Sequence, residues 1–339
     1  MGTKVSFRKW RMVFSMGLVA TVLFFFLCLP WGLSKAEAAP EKVRLSFGGA
    51  SSGTWIYMFC ATLSEVWKRY VPEVDVTVQA TAGTTANYIP MNEGKLDLAG
   101  ASTTGDYWAM NGMYFARGKP ITNFCSMLPA TTGFTQFFTY VDSPIKSYKD
   151  LDGKNLQVGA RASPTSGISE EICKALGVKP KFIFSTPAEA IEMVKDRRVD
   201  AMMYNVGAPW GGLMDAGSAR ELRLITMTNE ELKTVLAGMP WGFGATIPAK
   251  TYPWQNEDVL TLAFLQTVNA RPGLSADVVY KLTKAAWEHW DEVVKATKAA
   301  EWVKPKDIVN MVAPVHPGAA KYYQEKGIKI PDHLIWKKK

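Results

Sequence analysis

Val43-Arg44-Leu45-Ser46-Phe47 alternates as a strand does and runs straight into Gly48-Gly49-Ala50-Ser51-Ser52-Gly53-Thr54. Trp55 to Tyr70 then places Ile56, Phe59, Leu63, Val66 and Trp67 at helical spacing, Pro72 closes the segment, and Val74 to Gln79 alternates again. Strand, small-residue loop, helix, strand is a crossover. Two strands joined through a helix pair in parallel, and a parallel sheet must be covered by helices on its faces. This opening commits the chain to an α/β fold. At 339 residues, 47% apolar and 21% charged, the chain has the composition of a globular protein and length for two lobes.

The N-terminus reads as an address. Lys4, Arg8, Lys9 and Arg11 precede an apolar run from Met12 to Leu29, and Ala36-Glu37-Ala38-Ala39 supplies small residues for cleavage. We expect a secretory signal over residues 1–38; retention as a membrane anchor is the alternative. The net charge of +8 falls to +4 once that segment is removed, leaving 34 basic and 30 acidic residues. No dense basic block remains except Lys337-Lys338-Lys339, so nucleic acid is not an expected partner. Cys60, Cys125 and Cys173 are too far apart for a metal ribbon or a redox pair; one disulfide or buried thiols both fit.

A faint repeat follows. Pro90 to Ala99 and Ala190 to Met202 each read as a helix end, a polar turn, an aliphatic residue, an aspartate (Asp97, Asp200) and an apolar strand. Two lobes on one plan explain it. Thr135 to Val141 reads as a strand leaving lobe one, and Trp241 to Ile247 as a strand returning to it. The division expected is therefore lobe one over 39–140 and 246–339, and lobe two over 141–245. Two crossings make a hinge, with a ligand cleft between the lobes. Ser275 to Ala300 reads as one long amphipathic helix.

Catalytic signatures are missing. Only His289, His316 and His333 are present, and a phosphate loop and His-Glu-x-x-His are absent from the sequence. No metal site, cofactor or catalytic residue is expected. What is present is a set of small, hydroxyl-rich loops after strands, the positions that face the crevice of an open α/β sheet. Ser51, Ser52, Gly53, Thr54 and Trp55 form the first; Gly83, Thr84 and Asn87 belong to the second; Ser102 and Thr103 to the third. The fourth holds Arg161, Ser163, Thr165 and Ser166, and Gly207-Ala208-Pro209-Trp210 adds a fifth. Hydroxyls and helix N-termini suit carboxylates, and Arg161 is the cation that could grip one bidentately. Trp55, Tyr57, Trp108, Trp210 and Trp241 flank these loops.

From Val43 to Gly327 the chain resembles the TAXI group of periplasmic solute receptors, which serve TRAP (tripartite ATP-independent periplasmic) transporters. The carriers are Gly48 to Trp55, Asn92-Glu93-Gly94-Lys95-Leu96-Asp97-Leu98, Leu151-Asp152-Gly153-Lys154, Gly207-Ala208-Pro209, Ile247 to Pro253 and Val315-His316-Pro317-Gly318-Ala319-Ala320-Lys321-Tyr322-Tyr323. The resemblance implies a two-lobed, type II-like periplasmic binding protein that closes on a small organic solute. That solute would be an amino acid or other carboxylate, delivered to integral-membrane TRAP permease subunits. The sequence departs from similar proteins at Arg161-Ala162-Ser163-Pro164-Thr165, where they are richer in glycine. Gln157 stands about where related receptors carry a carboxylate-binding arginine, so Arg161 is a candidate substitute. The alternatives are a periplasmic enzyme on the same fold, with Asp106 and Glu170 as its acids, and a membrane-anchored ligand sensor. His316-Pro317-Gly318 reads as the turn into a C-terminal helix over 319–325.

Overall fold

The computed structural model describes residues 42–337 apart from Gly53 and Ala162, so the expected signal segment lies outside the described residues. The chain opens as expected: β1 (Val43–Gly48), α1 (Trp55–Tyr70) and β2 (Val74–Gln79), then α2 (Tyr88–Asn92), β3 (Leu98–Ser102) and α3 (Thr103–Met110). A long strand β4 (Cys125–Tyr140) follows. Next come β5 (Asn155–Gln157), α4 (Pro164–Ala175), β6 (Lys181–Ile183), α5 (Pro187–Lys195), β7 (Ala201–Val206), α6 (Gly211–Ala219), β8 (Leu222–Leu224) and α7 (Asn229–Gly238). The chain ends with β9 (Phe243–Ile247), β10 (Val259–Ala270), α8 (Ala276–Glu288), α9 (Trp290–Ala296) and α10 (Pro317–Glu325).

All ten strands join one sheet in the order β2-β1-β3-β10-β4-β7-β5-β6, with β8 paired to β4 and β9 to β10. β1 is parallel to both β2 and β3, and β7, β5 and β6 are parallel to one another. β10 is antiparallel to β3 and to β4, and β4 is antiparallel to β7. The strands of the first half therefore run opposite to those of the second, and the C-terminal ends of both sets point toward the middle.

The halves carry separate cores. Phe47, Phe59, Trp67, Leu128, Leu282 and Tyr323 pack in the first, and Phe137, Tyr148, Leu156, Ile168, Met203 and Trp241 in the second. Each buried side chain of this size contributes on the order of 2 kcal/mol. The C-terminal helices return to cover the first half. There the Trp67 indole donates to the Leu282 carbonyl at 2.8 Å, and the Tyr323 hydroxyl donates to that of Met127 at 3.0 Å.

The repeat has a structural basis. Gly94 and Arg197, which follow α2 and α5, both take left-handed backbone. Each aspartate then accepts from the backbone of the neighbouring parallel strand: Ser46 N–H reaches Asp97 at 3.0 Å, and Asn155 N–H reaches Asp200 at 2.8 Å. The same turn and the same tie position β3 and β7.

Three elements differ from expectation. β4 begins at Cys125, ten residues before the expected strand, because Pro129 hides its first half in the sequence; the register shifts there, Thr267 facing Pro129 and Gln266 facing Thr131. A bulge is where a strand tolerates proline. The expected returning strand, β9, pairs only with the first part of β10, and β10 itself continues to β3. The long helix expected over Ser275–Ala300 breaks at His289, whose φ of −121° and ψ of 27° end α8. The His289 ring stacks on Tyr70 at 3.4 Å, and Glu292 accepts from Arg69 and Tyr70, so the chain bends to wrap α1. Among the described residues Cys60, Cys125 and Cys173 are free and buried, and burial pushes the Cys125 and Cys173 thiols up to about 12.

Asp106, fully buried on α3, accepts from Tyr88 at 2.7 Å and from Asn269 at 2.6 Å, tying α2, α3 and β10 together. Burial pushes its carboxyl up to about 7, and those two hydrogen bonds only partly offset this. Between pH ~4 and ~7 the folded chain then holds a proton that the unfolded chain has released. Stability is expected to fall as pH rises through that window, and Asp106→Asn is expected to remove this part of the slope. Urea unfolding from pH 4 to pH 8 checks it.

Candidate functional site

The site lies where the opposed strand ends meet. Ser102, the last residue of β3, pairs with Gln266, which pairs with Thr131. Val206, the last residue of β7, pairs with Phe134. Measured along β4 the two ends are three residues, roughly 10 Å, apart, and β10 and β4 lie side by side between them. Helix N-termini follow both: α3 begins at Thr103, and Gly207 to Trp210 leads into α6.

In the first half, Thr54 caps α1. Its hydroxyl donates to the Ser51 carbonyl at 2.7 Å and accepts from Tyr57 N–H at 3.4 Å. Ser51 and Ser52 are exposed, and Gly53 lies outside the described residues. Trp55 is half-buried and stacks on Phe59 at 5.1 Å, with its indole N–H buried and unpaired. Gly83 has φ 145°, and the space a side chain there would enter is open; Thr84 starts a 3₁₀ turn. Asn87 is committed to the fold: its amide donates to the carbonyls of Gly48, Gly49 and Gly100, binding the first loop to β3. Ser102 caps α3 by accepting from Gly105 N–H at 3.0 Å, and the Thr103 hydroxyl accepts from Leu265 N–H at 3.2 Å.

In the second half, Ser163 caps α4 through Ser166 N–H at 3.2 Å, and Ser166 donates back to the Ser163 carbonyl at 2.9 Å. The Thr165 carbonyl accepts from Asn205 at 3.1 Å. Arg161 is exposed and its guanidinium lies 4.1 Å over the Phe184 ring. Ala208 is buried, Pro209 is exposed and joined to it by a cis bond, and Trp210 stacks on Tyr204 at 4.3 Å. The acids considered for catalysis occupy different settings: Asp106 is interior, and Glu170 is exposed on α4.

Contacts also cross between the halves. Tyr114 Oη donates to Glu171 on α4 at 2.7 Å, and the Tyr114 ring lies 4.3 Å from that of Trp108. A Cβ on Gly167 would meet Trp108 at 3.0 Å, so a small residue lets α3 and α4 meet. Burial pushes the Glu171 carboxyl up, with the Tyr114 bond opposing. A 3₁₀ turn at Lys298–Trp302 forms a second bridge. The Ala299 carbonyl accepts from Thr131, and the Trp302 indole donates to the Ala208 carbonyl at 2.6 Å.

Two depressions border the region. One of about 810 Å³ is lined by Ala82, Thr85, Ile89, Phe115 and Arg117, and one of about 550 Å³ by Arg161, Phe184, Ser185 and Glu189. A larger groove of about 960 Å³, between Phe124, Leu274, His316 and Trp336, touches none of the expected site residues. His316 there caps α10, its Nδ1 accepting from Gly318 N–H at 3.2 Å, and burial holds the imidazole down at about 4. Thr131, Gln266, Tyr114, Glu171 and Trp302, not among the sequence candidates, also lie in this region, as does Thr104 of the loop read at 101–104. Thr104, next to two expected residues, carried a signal; the others meet only through strand pairing and packing.

The NMT1-like family matches residues 47–327 of the chain. Among solved structures, a probable amino-acid ABC transporter extracellular-binding protein from Bacillus subtilis is 11% identical at a TM-score of 0.50, over 77% of this chain and 98% of that one. The periplasmic aliphatic sulphonate binding protein of Escherichia coli is 14% identical at a TM-score of 0.46, over 88% and 93%. A TRAP periplasmic solute binding protein from Sulfitobacter with bound β-D-galacturonate is 11% identical at 0.43, over 85% and 88%. The fold is the α/β fold of two-lobed binding proteins.

Gly167→Leu is expected to hold α3 and α4 apart, read as a larger radius of gyration in small-angle scattering. An unchanged radius would show that this contact does not keep the halves together. Tyr114→Phe removes one half-exposed hydrogen bond and is expected to cost no more than about 1 kcal/mol in denaturant unfolding.

Proposed function

This chain belongs to the NMT1-like family, and we propose that it is a periplasmic solute-binding receptor rather than an enzyme. In this reading the two halves close on a small organic solute carrying a carboxylate, and the closed form is handed to a TRAP-type membrane permease. Residues 1–38 direct export and are cleaved. The observation that carries the reading is the opposition of the strands. β1 and β3 of one half and β5 and β7 of the other aim their C-terminal ends, and the helices that follow, at one stretch of β4 and β10.

The mechanism follows from the connections. β4 and β10 run through both halves, so bending them moves the halves as bodies, and the strands belong to the hinge. We assign lobe one to 39–140 with 246–339 and lobe two to 141–245. A solute touching both walls binds the closed form better than the open one and shifts the population toward it. The Tyr114–Glu171 bond and the Trp302–Ala208 bond form only when the walls are near, so a permease can read closure from surfaces that closure brings together. The TRAP assignment rests on the sequence motifs.

Native mass spectrometry of the purified mature protein, before and after unfolding and refolding, tests the reading. A discrete mass lost on unfolding is expected, and a carboxylate as its identity. A protein that carries no solute and gains no thermal stability from any of a broad panel of small acids, sugars and amino acids would refute the receptor reading.

A further inference from the structure

Buried polar atoms without partners mark places where a ligand completes the hydrogen bonding, because an unsatisfied buried group costs about 1–3 kcal/mol. Two such atoms lie beside the β3–α3 junction. Thr104, in the first turn of the eight-residue α3, is 1% exposed, and its hydroxyl oxygen is buried with no partner among the described residues. Its neighbours are engaged: Ser102 caps the helix and Thr103 accepts from Leu265 N–H. Gln266 follows Leu265 on β10, pairs with both Ser102 and Thr131, and keeps its buried Oε1 unpartnered as well. Both residues therefore flank the β3–α3 junction, one from the helix and one from β10.

Resting on the receptor reading, we infer that Thr104 and Gln266 take the carboxylate head of the solute, and that Arg161 does not touch it. The Thr104 hydroxyl is a donor, and turning the Gln266 amide over offers its Nε2 hydrogens. Two neutral donors beside the positive end of α3 suit one carboxylate with two oxygens. Two of the cations near this region in sequence are held elsewhere. Arg161 is stacked over Phe184, and Lys298 is exposed and bonded to Glu301 at 2.8 Å. A head group held without a cation is a monoanion whose affinity barely responds to salt, since there is no exposed ion pair to screen.

Titration calorimetry with acetate, propionate, succinate and L-glutamate on the mature protein, stripped by unfolding and refolding, tests this. Thr104→Val and Gln266→Leu are each expected to weaken the best of these probes by roughly ten- to a hundredfold. Thr104→Ser, which keeps the hydroxyl, is expected to restore most of the affinity. Arg161→Ala is expected to stay within about twofold, and affinity to change less than about threefold between about 0.05 and about 0.5 M salt. Unfolding curves of the solute-free variants separate lost binding from lost folding. Loss of binding in Arg161→Ala with Thr104→Val and Gln266→Leu unaffected overturns the inference and leaves the receptor reading standing. Failure of all four probes on the wild-type protein overturns it too, and the receptor reading then stands or falls on the mass-spectrometric result.

Discussion

The antiparallel pairing of β4 with β10 is the contact on which the molecule depends. Each strand is shared. The first part of β4 faces β10, and its last part faces β7 and β8. β10 starts against β9 and ends between β3 and β4. Through this pair the two halves are one sheet, yet strand direction reverses across it. That reversal turns the crevices of both parallel sub-sheets toward each other, so a single site is built from both. The bulge at Pro129 and the bare backbone of Gly133, whose Cβ would collide with the Phe264 ring, let the two strands bend together.

The crossing strand is also where polar groups are buried. Thr131, Thr132, Thr135, Gln136 and Thr139 are nearly all inaccessible, an unusual run for a central strand. Several are spent on the second half: Thr135 donates to Asn205, Gln136 donates to the carbonyls of Val206 and Gly207, and Thr139 donates to that of Asp200. Asn205 in turn holds α4 through Thr165 and Ser169. Such a network is costly to disturb and fixes the position of the β7 end and of α4 against the floor.

The loops were legible because their chemistry is local. A Ser or Thr before a helical segment announces an N-cap, and Thr54, Ser102 and Ser163 all serve as caps. The same locality limits what the pattern says. A cap hydroxyl already has a partner, so several residues marked as binding candidates hold the walls. Asn87 is the clearest case, its amide consumed by three carbonyls. Arg161 could be recognised as the loop's cation, but its place over Phe184 depends on β6, which the sequence does not bring near it.

Alternation, helical spacing, glycine turns and the repeated aspartates determine the α/β class, the strand–helix order and the ties that seat β3 and β7, because all of these are interactions within a few residues or between adjacent strands. Pairing partners beyond that range are decided by tertiary structure. Nothing local to Tyr114 and Glu171, or to Trp302 and Ala208, says that each pair comes into contact. They meet because two long strands pass through both halves and reverse the sense of the sheet, and because the C-terminal helices return to close over it.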